Sequence, residues 1–330
     1  MNKLYLCVTL YHLYLTMLLI NRDDNKEGSV ILLNANDEQI YKQFCALEVK
    51  LVRNGYKVNC RFRNKVKDIL GLEGIENKRQ YKVVKRYWRS SFDEGFELYN
   101  FAWNCQYVYS TADIFYKKCL KAHFIEEGAM TAINPPQPKW KVLLKKICGA
   151  SVDFYKDDKI EGIYVQKVEL YPAGWAKKLK RLNISALLEN LDNEMKDMLL
   201  SIFLGDTLVS IQNNNYGRIG IIYTQPLSED GFIEEELKIS YYNEMVRYYC
   251  TYGKPIVKLH PRDLSNYNFS TECLVLPSYF PSEILNLLNI NFEYAVGICT
   301  SAVPNTKARI CLNINENFLK DLNFKVVPLK

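Results

Sequence analysis

Histidine is the scarcest reactive residue in this chain, with three in 330 residues. The ten cysteines (Cys7, Cys45, Cys60, Cys105, Cys119, Cys148, Cys250, Cys273, Cys299 and Cys311) include no C-x-x-C pair. Together these two facts exclude a zinc framework of the usual spacing and argue for buried thiols in a reducing compartment rather than for disulfides. A glycine-rich phosphate loop is also missing, as is any Asp-x-Asp, and no nucleic-acid-binding motif occurs. Neither an internal repeat nor a low-complexity tract is present. The opening MNKLYLCVTLYHLYLTMLLINRDDN is apolar enough to resemble a signal peptide, yet tyrosines interrupt it and no A-x-A-like site follows. It is also short for a membrane span. It reads instead as a buried strand over 4–8, a turn over 9–12 and a helix over 13–21.

What remains is ordinary globular composition, 48% hydrophobic and 24% charged, on a chain long enough for two domains. Strand-length apolar runs alternate with helical stretches: SVILLNA (29–35), YKVNCRF (56–62), CQYVYST (105–111) and AHFIEEG (122–128). That alternation predicts an α/β domain over 1–155 with a parallel sheet. A proline-dense break (132–140) leads into YPAGWAKKLKRLNISALLENLDNEMKDMLLSIFLG (171–205). This stretch reads as helix with cap signals at Asn183/Ser185 and Asp192/Asn193, so 156–215 is expected to be a helical linker. The alternation then restarts over 216–330, with strands at 218–226, 254–261, 272–278 and 294–302 and helices at 234–250 and 281–289. Two such sheets would leave a cleft at the C-terminal ends of their strands, where open α/β sheets bind ligands.

The net charge is +6, and the basic residues cluster with aromatics at 53–67, 78–89, 138–146 and 175–181. Such clusters suit an anionic membrane surface, the inner face of a plasma membrane, better than nucleic acid. Four stretches follow predicted strands and should point into the cleft: FIEEGAM (124–130), TQPLSEDG (224–231), LHPRD (259–263) and CTSAVPNT (299–306). A fifth, PSEIL (281–285), opens a short helix. Pro261 biases His260 towards extended backbone at a strand end, where an imidazole can donate to a phosphate or leaving-group oxygen. Thr300 and Ser301 can offer hydroxyls and amides to the same anion, and a carboxylate across the cleft would complete an acid–base pair. The chemistry expected is metal-free, with histidine supplying the cation.

This constellation resembles the bacterial sialyltransferases of glycosyltransferase family 52. LCVTLYHLYL resembles the family's opening strand–turn–helix, EEG (Glu126, Glu127, Gly128) its acidic-acidic-glycine motif, and KLHP (His260, Pro261) its His-Pro motif. FPSEIL (Pro281, Glu283) and CTSA (Thr300, Ser301) resemble the segments that follow. The resemblance implies a GT-B fold of two Rossmann-like domains facing a central cleft, a CMP-sialic acid donor, a glycan acceptor, inversion at the anomeric carbon and no metal. It assigns His260 as general acid on the departing CMP, Pro261, Thr300 and Ser301 to the phosphate region, and Glu283 to the ribose. For the base it points to Asp230 in SEDG, from the same domain as His260. SEDG is itself acidic-acidic-glycine, so it competes with EEG, and Glu127 and Glu126 are the second choices.

Two other readings stay open: the same fold with another nucleotide sugar such as a UDP-hexose, and a non-catalytic protein that binds glycans or nucleotide sugars. Acceptor, linkage and oligomeric state are not fixed by the sequence, a homodimer being one option.

Overall fold

The computed structural model describes residues 2–35, 38–62, 95–101, 115–116, 118–126, 157–213, 217–315 and 326–329. The chain divides into two compact units, Met1–Leu191 and Asp192–Lys330.

The first unit is built on a seven-stranded, wholly parallel sheet: β1 (Asn2–Cys7), β2 (Ser29–Ala35), β3 (Lys57–Phe62), β4 (Phe96–Asn100), β5 (Lys121–Ile125), β6 (Ile160–Val165) and β7 (Leu179–Arg181), in the order β3-β2-β1-β4-β5-β6-β7. Leu4, Tyr5, Leu6 and Cys7 are all fully buried, as a central strand covered on both faces requires. Helix α1 (Leu10–Arg22) follows at once, capped by Thr9, whose hydroxyl accepts from the His12 backbone N–H at 3.2 Å. Nearly every residue of α1 from Leu10 to Ile20 is buried, which explains the signal-like hydrophobicity of this stretch. The helix starts three residues earlier than the sequence indicates, because the threonine cap, not the apolar pattern, sets its first turn. Helix α2 (Glu38–Arg53) buries Phe44, Leu47 and Leu51 along one stripe.

The expected helical linker over 156–215 is corrected here. Residues 160–181 supply β6 and β7 to the first sheet, and the division between units falls at Leu191/Asp192. The sequence IEGIYV packs Ile160, Ile163 and Val165 inward, a strand signature that the helical reading of the neighbouring stretch obscured. Helices do occupy the rest: α3 (Ile184–Glu189), α4 (Asn193–Phe203) and α5 (Asp206–Asn213). Asn183 and Asp192 cap α3 and α4 as read, accepting from Ala186 N–H and Met195 N–H. The strand read at 105–111 lies outside the described residues, and β4, β6 and β7 are strands that the alternation of apolar runs does not place.

The second unit carries a five-stranded parallel sheet: β8 (Ile219–Tyr223), β9 (Lys254–Lys258), β10 (Leu274–Leu276), β11 (Phe292–Ile298) and β12 (Ala308–Ile314), in the order β10-β9-β8-β11-β12. The order reverses between β8 and β11, the kind of switch point where open α/β sheets bind ligands beyond the strand ends. Helix α6 (Glu235–Tyr249) covers the sheet through Tyr241, Tyr242, Met245, Val246 and Tyr249.

Candidate active site

The second unit gathers most of the sequence-predicted residues at the C-terminal ends of β8, β9 and β11. β9 ends at Lys258. His260 follows, its backbone N–H donating to Thr224 Oγ1 at the end of β8 (3.0 Å). His260 to Asp263 then forms a turn closed by Asp263 N–H donating to His260 O at 3.0 Å. Pro261 sits at the second position of that turn, where its fixed φ is already correct. The exposed Pro261 therefore shapes the loop.

The imidazole of His260 is oriented by Arg262, whose backbone N–H donates to Nδ1 at 3.1 Å. Nδ1 is thus an acceptor, and in the neutral ring the proton sits on Nε2. Burial, followed by the charges of Arg262 and Lys258, pushes this histidine down to about 4. This differs from the expectation that histidine supplies the cation. His260 is neutral, and the nearby cations are Arg262 and Lys258.

Arg262 also reaches Asp230. Its Nη1 donates to Oδ1 at 2.6 Å and its Nη2 to Oδ2 at 3.0 Å, a bidentate fork. Asp230 lies in a tight loop in which its N–H donates to Pro226 O and Gly231 takes φ +73, a backbone that glycine permits without strain. The neighbouring Glu229 is turned inwards to Lys238, which donates to both its oxygens (2.9 and 2.7 Å) and to Asp263 Oδ1 at 3.0 Å. Burial raises the Glu229 pKa, but Lys238 and the Leu264 N–H outweigh it and hold the carboxyl down at about 2. So within SEDG the first acid is a structural anchor, and the second faces outward on an exposed loop.

The chain leaves β11 through Cys299, a non-glycine residue at φ +47. Such a backbone is uncommon and clusters at functional turns. It turns the chain at the strand end, where Asn313 of β12 clamps Thr300: Thr300 N–H donates to its Oδ1 (3.1 Å) and its Nδ2 donates to Thr300 O (2.9 Å). Thr300 is buried and its Oγ1 accepts from Ala302 N–H at 3.2 Å, whereas Ser301 is exposed. Ser301 is therefore the more available of the two hydroxyls. A Cβ at Gly297 would lie 2.5 Å from the Thr300 methyl, so the close approach of this turn to β11 depends on glycine.

Glu283 lies in the six-residue 3-10 segment Ser282–Leu287 and accepts from Ser282 Oγ at 3.2 Å. Burial raises its pKa, partly offset by Lys258. Lys258 itself is 3% exposed; its Nζ donates to Leu259 O at 2.9 Å and lies 4.3 Å from the centre of the Phe280 ring. Burial pushes this ammonium down to about 7, with Glu283 pulling the other way.

Sequence reasoning missed Arg262, Lys238, Lys258, Asn313 and the Cys299 bend. Two of these leave a trace in the sequence. Lys238 falls on the buried stripe of α6 with residues 241, 242, 245, 246 and 249, and Lys258 ends an otherwise apolar strand. A lysine on an apolar stripe needs a partner.

In the first unit, Glu126 follows β5, 5% exposed, and accepts from Gln166 N–H (3.0 Å) and Tyr171 OH (3.3 Å). These bonds tie β5 to the segment after β6. Glu127 lies outside the described residues.

A family match spans the part of the chain that carries His260. Residues 159–309 match glycosyltransferase family 52. The resemblance to that family holds over this stretch, a little under half of the chain. An uncharacterized protein of Haemophilus influenzae is 30% identical over 190 residues, 57% of this chain and 60% of that protein, so the match spans under two thirds of the relative's length. Two solved structures share the fold. One is the GT-B domain of a sialyltransferase from Photobacterium damselae (TM-score 0.60, 11% identity, 94% of this chain and 90% of that one). The other is an α/β-galactoside α-2,3-sialyltransferase from Photobacterium phosphoreum (TM-score 0.54, 13% identity, 95% and 89%). The fold is GT-B type, and the family 52 match covers His260, Asp230, Glu283, Thr300 and Ser301 together.

Two further expectations concern surroundings. No helix among the described residues is long and apolar enough to cross a membrane. Of the basic clusters, 78–89 and 138–146 lie outside the described residues. In 175–181 much of the charge and the ring are engaged locally: Trp175 packs on the first unit's core, Lys178 binds Asp157 O, Lys180 lies over Tyr164 and Arg181 faces Glu169.

Proposed function

We propose that the protein is an inverting, metal-independent sialyltransferase, moving sialic acid from CMP-sialic acid to a hydroxyl of an acceptor glycan. The observation that carries this reading is the linkage through Arg262. One residue orients the ring of His260 by its backbone and holds the carboxylate of Asp230 by its side chain, beside a switch point that also presents Ser301 and Glu283.

In this reading His260 offers its Nε2–H to the phosphate oxygen that leaves with CMP. The arriving phosphate adds negative charge next to a ring that burial holds neutral, which favours a second proton, from solvent, on Nδ1 in place of the Arg262 N–H contact. The imidazolium then gives its Nε2 proton to the departing oxygen and is left neutral. Ser301, with the Thr300 turn beneath it, holds the phosphate, and Glu283 accepts from the ribose hydroxyls. Asp230 takes the proton of the attacking acceptor hydroxyl. Attack from the face opposite the departing CMP inverts the anomeric carbon.

Peripheral attachment to an anionic membrane belongs to the same proposal and rests on the basic stretches 53–67, 78–89 and 138–146. The test is a donor panel, CMP-sialic acid beside UDP-hexoses, with and without EDTA. Turnover of CMP-sialic acid that survives EDTA supports the reading. Turnover of a UDP-hexose alone, or restored by Mg²⁺ or Mn²⁺ after chelation, overturns it.

A further inference from the structure

Asp230 is not free to act as a base in the structure as it stands, because both its oxygens are occupied by the Arg262 fork. The pair is solvent-accessible, with the Arg262 side chain 63% exposed and that of Asp230 32%. Exposed ion pairs contribute little net stability and exchange readily for another partner. What arrives at this site, if the reading above holds, is an unusual sugar: its anomeric carbon bears a carboxylate as well as the bond to the phosphate oxygen. A donor whose phosphate oxygen meets His260 Nε2 carries that carboxylate on the carbon bonded to this oxygen, beside the loop on which Arg262 stands two residues along. The guanidinium is already arranged for bidentate pairing with a carboxylate, so exchanging one carboxylate for another preserves its geometry.

We propose that Arg262 recognises the carboxylate of the donor sugar, and that this exchange releases Asp230 to serve as the base. The inference rests on the sialyltransferase reading. It makes Arg262 both a specificity residue and a switch: a donor without the carboxylate leaves Asp230 forked and idle, while CMP-sialic acid frees it. Hydrolysis of donor before an acceptor has bound is not prevented by this device, since His260 needs no base. The backbone of Arg262 keeps its own task of orienting His260, which a side-chain substitution leaves in place.

The test is equilibrium binding by calorimetry of two probes, CMP and the slowly reacting CMP-3-fluorosialic acid, to wild type, R262Q, D230N and the double variant. R262Q is expected to weaken the sugar nucleotide roughly ten- to hundredfold, while CMP changes less than about twofold. D230N is expected to tighten the sugar nucleotide, because the competing carboxylate is gone, and this gain should vanish in the double variant. Equal weakening of both probes by R262Q, no weakening of either, or D230N leaving the sugar nucleotide unchanged or weaker overturns the proposal. Failure of the underlying reading looks different: wild type then binds neither probe, or binds a UDP-hexose instead, and the exchange falls with it.

Discussion

Lys238 Nζ, with no solvent exposure, donates to Asp263 Oδ1 at 3.0 Å and to both oxygens of Glu229. One buried ammonium from α6 thereby fixes two loops, the one bearing Asp230 and the one bearing His260. The cluster is completed by Tyr267 OH donating to Asp263 Oδ2 and by the Leu264 N–H donating to Glu229. Lys238→Met strands two carboxylates around an apolar side chain. It is expected to cost about 3–5 kcal/mol in urea unfolding at pH 7. A loss below about 1 kcal/mol would show that the cluster does not hold the loops.

All three histidines are kept neutral. Burial is the first cause in each case, pushing His12 down to about 3 and His123 and His260 to about 4, from an ordinary value of 6.5. Below pH 6.5 the unfolded chain takes up protons at these sites while the native protein does not, so stability falls as pH falls. The full benefit is present above pH 6.5 and is lost progressively towards pH 4, at up to about 1.4 kcal/mol per pH unit for each histidine. His123 stacks on Tyr99 at 4.5 Å, which a phenyl ring can reproduce. His123→Phe should flatten the acid limb of a stability–pH curve. An unchanged limb would mean that His123 contributes nothing to it.

Lys258 should behave in the same sense over a higher range. Its ammonium is pushed from 10.5 to about 7 by burial, so between those values the unfolded chain holds a proton that the native protein lacks. The cost of keeping this lysine buried grows as pH falls from 10.5 to 7 and stays constant below. Lys258→Met is therefore expected to stabilise the protein by a few kcal/mol at pH 7, with the gain vanishing towards pH 10.5. Because Lys258 is the cation that offsets the burial of Glu283, the same variant should raise KM for the donor. A variant that is destabilised at every pH would contradict the first expectation. An unchanged KM would contradict the second.

Gly297→Ala tests the bend after β11. The added methyl meets the Thr300 methyl at 2.5 Å and Val303 at 3.1 Å. Overpacking of this kind costs about 1–3 kcal/mol, and the displaced turn should weaken phosphate binding. Inorganic phosphate or CMP affinity equal to wild type would remove the turn from the donor site.

The parts of this fold that were legible in the sequence are those whose pattern is local. β8, α6 and β9 fall where the alternation of apolar runs puts them, and the caps Asn183 and Asp192 work as read, because strand burial and capping each depend on a few adjacent residues. β7 is hidden within the helical pattern of 171–205 because the run after Tyr171 is rich in lysine and leucine, and β6 falls inside the expected linker, while the sheet partners of both strands are set by pairing that no local pattern shows. In the site, His260 with Pro261 and the Thr300–Ser301 pair stood out by residue type. The role of Arg262 could not, since it depends on a turn that brings residue 262 onto Asp230, thirty-two positions earlier. Glu229 and Asp230, alike in sequence, are separated only by which of them meets the buried Lys238.

The central claim is that His260 assists the departure of CMP. CMP release from CMP-sialic acid in the presence of an acceptor glycan, measured side by side for wild type and His260→Ala, tests it most directly. The account predicts turnover by wild type and a fall of roughly 10²–10⁴-fold in kcat for the variant, with an unchanged circular-dichroism spectrum. No release by wild type, or a variant that keeps more than about a tenth of its rate, would contradict it.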